Sequence, residues 1–188
     1  MTDIIMEFDN NILDYFSSHS FGEFPNILLK LLSWIGNYGL PWVIFAAVFL
    51  LNPKKRASGY ILAFAMIAAL IINNVLIKNI VARPRPFITD PSIVLLISVP
   101  SDFSFASGHA AASFAASVGI SKANKYHALW SFPLAAAIAF SRIFFSAHYT
   151  SDVIAGSVIG LICGYLGIKI GPMLYNFTDK VIKNRKNQ

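Results

Sequence analysis

Apolar residues gather into long runs along this chain instead of alternating with polar ones. Five runs approach the roughly 20 residues that a helix needs to cross a bilayer. They are Trp34–Leu51, which contains Pro41; Tyr60–Val81, interrupted near its end by Asn73, Asn74 and Lys78; the short Ser107–Ile120; Ala128–Phe145, with Pro133; and Val153–Leu174, with Lys169 near its end. The alternation of barrel strands is missing, and lipid cannot satisfy open backbone groups, so each run predicts a helix. Gly and Ala crowd the last three, which predicts close helix packing. Gly156, Gly160 and Gly164 read first as a packing stripe and second as a dimerisation face, leaving a homo-oligomer open.

The segment before the first run differs. Phe8, Ile12, Tyr15 and Phe16 recur at helical spacing, with Asp9, Asn10, Asn11 and Asp14 between them. That pattern predicts an amphipathic helix lying in the membrane interface. Phe24–Leu32 is too short to span alone and suits a second interfacial helix. The expected fold is an all-α integral membrane bundle of five to six transmembrane helices plus an N-terminal interfacial helix. It divides into an interfacial segment (1–33), a transmembrane domain (34–175) and a basic cytoplasmic tail (176–188).

Composition supports this division. Apolar residues make up 56% of the 188 and charged residues 13%, about half the roughly 25% charged share of soluble domains. Disorder is excluded, and a soluble domain of this size could hardly bury so many Leu, Ile, Ala and Phe side chains. The net charge of +6 comes from 15 basic and 9 acidic residues. The basic residues form no stripe with interleaved aromatics, so nucleic acid is not an expected partner. Cys163, the single cysteine, lies in an apolar run and reads as packing, with neither a disulfide nor a cysteine metal site. Asp3, Glu7, Asp9, Asp14 and Glu23, without any Lys or Arg in the first 23 residues, are the reverse of a signal-peptide n-region.

Orientation follows from the basic residues of short loops. Lys54, Lys55, Arg56, Lys122, Lys125, Lys180, Lys183, Arg185 and Lys186 fall on one side of a five-span chain, the expected cytoplasmic side. The N-terminus and the 82–106 and 146–152 loops then share the outer face. Three polar stretches that a bilayer protein should avoid without cause meet there: Lys78 to Pro86, Ala106 to His109, and Ser141 to Asp152.

Their chemistry points to phosphate. Lys78, Arg85 and Arg142 supply three cations, and guanidinium forks match phosphate oxygens. Ser107 and Gly108 stand at an expected helix N-terminus, where free N–H groups and the helix dipole favour an anion. His148 and Asp152 are spaced i, i+4, so a carboxylate can hold one ring nitrogen and leave the other as nucleophile. His109 is placed to give a proton to a leaving oxygen. Together these residues suit phosphoryl transfer by covalent catalysis with no evident metal or cofactor. Other polar residues have plainer readings: Arg83 as a headgroup or loop contact, Asp102 and Ser104 as loop residues, Ser141 as a backbone partner, Asn73 and Asn74 as inter-helix bonds, His19 and His127 as surface groups.

The three stretches resemble the signature of the type-2 phosphatidic acid phosphatase superfamily, which includes bacterial acid phosphatases and vanadium haloperoxidases. Lys78, Arg85 and Pro86 match its K-x6-R-P; Ser107, Gly108 and His109 match its P-S-G-H, with Ala106 in place of Pro; Ser141, Arg142, His148 and Asp152 match its S-R-x5-H-x3-D. The resemblance covers residues 40–175. It implies that His148 forms a phosphohistidine, Asp152 orients it and His109 protonates the leaving group. It also implies that Lys78, Arg85, Ser107, Gly108 and Arg142 hold the phosphoryl oxygens, with no metal. A site at the membrane surface suits a lipid phosphate whose tail stays in the bilayer. The chain resembles small bacterial undecaprenyl pyrophosphate phosphatases, which work at the outer face of the plasma membrane, and phosphatidylglycerophosphate phosphatases. Lipid A and phosphatidic acid phosphatases, a soluble-type acid phosphatase or haloperoxidase, and a non-enzymatic lipid-binding or transport protein with a residual anion site are the competing readings.

Overall fold

The computed structural model describes residues 2–19 and 21–186, and every regular element among them is helical. In chain order these are α1 (Thr2–Ser18), α2 (Glu23–Ile35), α3 (Leu40–Leu51), α4 (Arg56–Ala69), α5 (Lys78–Val81), α6 (Pro86–Thr89), α7 (Gly108–Ala123), α8 (Ala128–Phe144) and α9 (Thr150–Lys186). A π-helical stretch, Leu70–Ile77, joins α4 to α5 without a break. Among the described residues three units are long and apolar enough to cross a membrane alone: Arg56–Thr89, Lys125–Phe144 and Thr150–Arg185. The chain is a helical membrane protein.

The five apolar runs map onto α3, the α4–α5 unit, α7, α8 and α9, but the first needs correction. Trp34–Leu51 is not one helix. α2 ends at Ile35, a 3-10 turn occupies Asn37–Gly39, and α3 leaves at 49° to α2. Gly39 adopts φ +64°, a left-handed conformation that costs glycine little, and Pro41 sits in the first turn of α3, where its missing N–H is harmless. α2 and α3 make one span only as a bent pair. The fifth helix is longer than its apolar run, because Pro172 is accommodated within α9 and its basic end stays helical to Lys186.

α7 is the central helix. Its 16 residues give it a length of only about 24 Å at 1.5 Å per residue, yet it packs against α3, α4, α8 and α9. The glycine stripe explains how closely. A Cβ on Gly156 would lie 2.4 Å from the Ser107 carbonyl, and one on Gly160 would lie 2.4 Å from that of Ala111. α9 thus lies directly against α7, and Cys163 packs beside Ala65, Ala69 and Ala115. The first reading of that stripe, as internal packing, holds.

α1 is helical as expected, but its inward face is not the one the apolar spacing selects. Asp9 is 1% exposed and Leu13 is buried, whereas Phe8 and Tyr15 are about half exposed. Phe16 seats α1 on α8 through Phe140 and Phe144, with ring centroids 5.6 and 5.7 Å away. A carboxylate therefore enters the bundle with the apolar docking residues.

Candidate active site

The three polar stretches meet at one end of the bundle. The turns carrying Lys54 and Lys55, and Lys125, lie at the other end, as does the basic end of α9, where Thr178 bonds Tyr60 near the start of α4. A cavity of about 630 Å³ is lined by Lys78, Arg85, Gly108, His109, Arg142 and His148, together with Asp102 and Asn37. Asn74, Ser98 and Ser101 add polar lining, and one stretch of wall is apolar and includes Val43, Ile67 and Leu70, side chains that are also about half exposed. Ser107 and Asp152 lie behind the cavity wall, fully buried.

Local structure fixes each group. The π-helical widening lets Asn73 and Asn74 project towards α7; such widenings recur at functional sites. Asn73 donates to the Ala106 carbonyl at 3.1 Å and to Asn74 Oδ1 at 2.8 Å. A Cβ on Gly108 would come within 2.9 Å of Asn74 Oδ1, so any side chain there would push Asn74 aside. Ser107 Oγ accepts from the Ala110 N–H at the start of α7, which leaves its own O–H free to donate. Ser146, at φ +51°, makes the turn after α8 that brings His148 back over the cavity. The Arg142 carbonyl caps that turn by accepting from the N–H groups of Ala147 and His148.

His148 is held by three groups. Arg85 Nη1 donates to its Nε2 at 3.1 Å, so Nε2 carries the lone pair and Nδ1 the proton. Nδ1 faces Asp152 Oδ2 at 3.6 Å, beyond hydrogen-bond range, where apo catalytic pairs often rest. Ser104 Oγ lies 3.5 Å from the same Nδ1 and donates to Asp152 Oδ2 at 2.5 Å. Burial, and then the charges of Arg85, Arg142 and Lys78, push the His148 imidazole well below the ordinary histidine range, which favours the neutral ring. His109 Nε2 donates to Asn37 Oδ1 at 3.1 Å.

The cations are buried: Lys78, Arg85 and Arg142 are 3 to 4% exposed. Asp102 pairs with Lys78 and, at 2.5 Å, with Arg85 Nη2. Burial pushes the Asp102 carboxyl up, but the hydrogen bonds and charges of Lys78 and Arg85 outweigh it and hold the group at about 2. Arg142 bonds Ser33 Oγ on α2, while its Nε is buried with no hydrogen-bond partner among the described residues.

Of the eight residues that the motifs select, Lys78, Arg85, Gly108, His109, Arg142 and His148 line the cavity, and Ser107 and Asp152 lie behind its wall. Asp102 and Ser104 are part of the site, not simple loop residues. Arg83 does not reach outward to a headgroup; it bonds Asp152 Oδ1 at 2.7 Å and Asp9 Oδ2 at 2.8 Å. Ser33 and Asn37 were passed over. Asp102 had one visible signal, as the only acidic residue between Asp90 and Asp152. Ser141 follows its plainer reading and donates to the Ile138 carbonyl at 2.6 Å.

Comparison with known proteins agrees with this geometry. The sequence profile of the PAP2 superfamily matches residues 58–175. The chain is 31% identical over 144 residues to decaprenylphosphoryl-5-phosphoribose phosphatase of Mycobacterium tuberculosis, covering 74% of this chain and 77% of that protein. It is 28% identical over 169 residues to undecaprenyl-diphosphatase BcrC of Bacillus subtilis, covering 88% and 86%. Among solved structures, a transmembrane PAP2-type phosphatidylglycerolphosphate phosphatase from Bacillus subtilis superposes with TM-score 0.71 at 21% identity, covering 95% of this chain and 88% of that one. With a buried imidazole between a carboxylate and three cations, and with the family's profile running through all three stretches, the chain belongs to the PAP2 superfamily as one of its membrane-embedded lipid phosphatases.

Proposed function

We propose that the protein hydrolyses a polyprenyl phosphate or diphosphate, with undecaprenyl pyrophosphate the favoured substrate, at the extracytoplasmic face of the plasma membrane. The observation that carries the reading is a charge imbalance. Three buried cations face the cavity, and among the described residues Asp102 is their one carboxylate partner. The excess of two positive charges complements a phosphoryl dianion, whose charge near neutrality is about −1.5 to −2. Buried charge without a counterpart is costly, so an anion is the natural occupant. The polyprenyl choice draws on the names of the relatives and on the apolar wall at Val43, Ile67 and Leu70, which suits a chain lying in lipid. Sidedness rests on the basic turns at the opposite end of the bundle.

In this mechanism phosphoryl oxygens replace the Asp102 carboxylate on Lys78 and Arg85 and satisfy Arg142. The N–H of Gly108 completes the cradle, with Ser107 holding the start of α7 behind it. Arg85 turns from His148 Nε2 to a phosphoryl oxygen and frees the lone pair. Nε2 attacks phosphorus, the bond from phosphorus to the leaving oxygen breaks, and His109 supplies the proton that oxygen takes. Asp152 receives the Nδ1–H of the now cationic ring. His109, unprotonated, then takes a proton from water as the water oxygen attacks phosphorus. The N–P bond breaks, phosphate departs and His148 is restored. The cradle acts most strongly in the transition state, where charge spreads over the equatorial oxygens.

A phosphate-release panel with undecaprenyl pyrophosphate, phosphatidylglycerophosphate and phosphatidate in detergent containing EDTA tests the substrate choice. Undecaprenyl pyrophosphate should give the highest kcat/KM. A higher value for phosphatidylglycerophosphate would instead favour the second reading, which the overall likeness to the Bacillus subtilis phosphatidylglycerolphosphate phosphatase supports.

A further inference from the structure

Behind the cavity lies a second charged cluster, of which the mechanism above uses only Asp152. Asp9, from α1, is 1% exposed, and Asp152 is fully buried. The Arg83 guanidinium bridges them: Nη2 donates to Asp9 Oδ2 at 2.8 Å, and Nη1 donates to Asp152 Oδ1 at 2.7 Å and to Ser151 Oγ at 2.8 Å. Ser151 adds its backbone N–H to Asp9 Oδ1 at 2.8 Å and its hydroxyl to Asp9 Oδ2 at 2.5 Å. The Tyr149 ring lies 3.8 Å from the guanidinium carbon. Asp9 lies outside residues 58–175, so the family profile does not account for it.

Packing alone does not explain this arrangement. Leu13 and Phe16 already dock α1, and an apolar residue at position 9 would dock it without burying a carboxylate. What Asp9 adds is a counter-charge on the far side of Arg83. With both carboxylates in place, the guanidinium is pulled from two sides and fixes the rotation of Asp152, whose Oδ2 faces His148. Without Asp9, Arg83 would bind Asp152 alone and draw the carboxylate away from the imidazole. The planar fork aims separate N–H groups at the two acids, a geometry that a lysine ammonium, a compact point charge, does not reproduce.

We propose that Asp9 and Arg83 are positioning residues that clamp Asp152 for its work on His148, so that the N-terminal helix forms part of the catalytic apparatus. This inference rests on the reading of His148 as nucleophile. The test is steady-state kinetics on a short-chain phosphatidate, with inorganic phosphate as competitive inhibitor, for D9N, R83Q, R83K, the D9N/R83Q double variant, E7Q and H148A. Misplacing a catalytic group by about 1 Å can cost roughly 100-fold. D9N should lower kcat about tenfold and R83Q about 100-fold. KM and phosphate inhibition should stay within about twofold, because the cationic cradle is untouched. The double variant should be no slower than R83Q, since Asp9 acts through Arg83. R83K keeps the charge but loses the bridge and should stay slow. E7Q, an exposed charge on the same helix, should match wild type.

Wild-type kcat in D9N or R83K would overturn the clamp. So would losses that add in the double variant, or phosphate affinity falling along with kcat, which marks a collapsed site. If H148A retains turnover, the nucleophile assignment fails; if H148A is inert while D9N is normal, only the clamp fails.

Discussion

Two charged layers stand one behind the other at the same end of the bundle, and they are balanced differently. In the front layer Lys78 and Arg85 share the carboxylate of Asp102, and Arg142 has no carboxylate partner among the described residues. The rear layer sets one cation, Arg83, between two carboxylates, Asp9 and Asp152. A cluster left short of negative charge suits an anion, whereas the rear cluster, with one carboxylate more than its cation, suits holding Asp152 towards the His148 ring. His148 lies between them, with Nε2 towards the front cations and Nδ1 towards the rear carboxylate.

That contrast can be broken most severely by removing a front cation. Arg142→Ala should lower kcat/KM by about 100- to 1000-fold, the range for losing one transition-state charge partner. Inorganic phosphate should also inhibit much less, a loss that the rear-layer variants are expected to spare. Equal effects on phosphate inhibition from Arg142→Ala and R83Q would erase the distinction between the layers.

Removing the front carboxylate should act in the opposite direction. Asp102→Asn frees Lys78 and Arg85 from a competing anion, so the inhibition constant for inorganic phosphate should tighten by about tenfold, roughly one charged hydrogen bond. Weaker inhibition would mean that Asp102 helps to bind phosphate instead of occupying its place.

The smallest effect concerns acid stability. The folded His148 ring takes up a proton less readily than the unfolded one, whose pKa is about 6.5. Below that pH the unfolded state holds more protons, so stability falls as pH drops. Asp102 works in the same direction in a lower window, between the unfolded value of about 3.9 and its folded value of about 2. Melting profiles should therefore lose slope just below about pH 6.5 in H148Q and only below about pH 4 in Asp102→Asn. Unchanged slope in H148Q would show that burial does not disfavour the charged ring.

The front layer was far more legible in the sequence than the rear. Lys78, Arg85, Arg142, His109 and His148 sit in short spaced motifs, and hydropathy alone brings those motifs to one membrane face. The bundle and the glycine stripe were legible for the same reason, since both follow a helical period. Asp9 was not: its partners Arg83 and Ser151 lie 74 and 142 residues away, and its spacing placed it among polar neighbours of an interfacial helix. Ser33 and Asn37 were hidden by the break between α2 and α3, a three-residue turn that an 18- to 20-residue apolar window averages away. Asp102 and Ser104 looked like loop residues because the loop that carries them only becomes a wall of the site when Arg85 binds the Asp102 backbone carbonyl, at 2.7 Å.

The meeting point of the two layers is the Nε2 atom of His148, and it can be examined chemically. Rapid quenching of the enzyme with a substrate carrying radiolabelled phosphorus should trap label on the peptide that contains His148. The label should be stable in alkali, lost in acid as a phosphoramidate is, and absent from H148A. Label on any other residue, or the same label persisting in H148A, would contradict a phosphohistidine formed between the cationic cradle and Asp152.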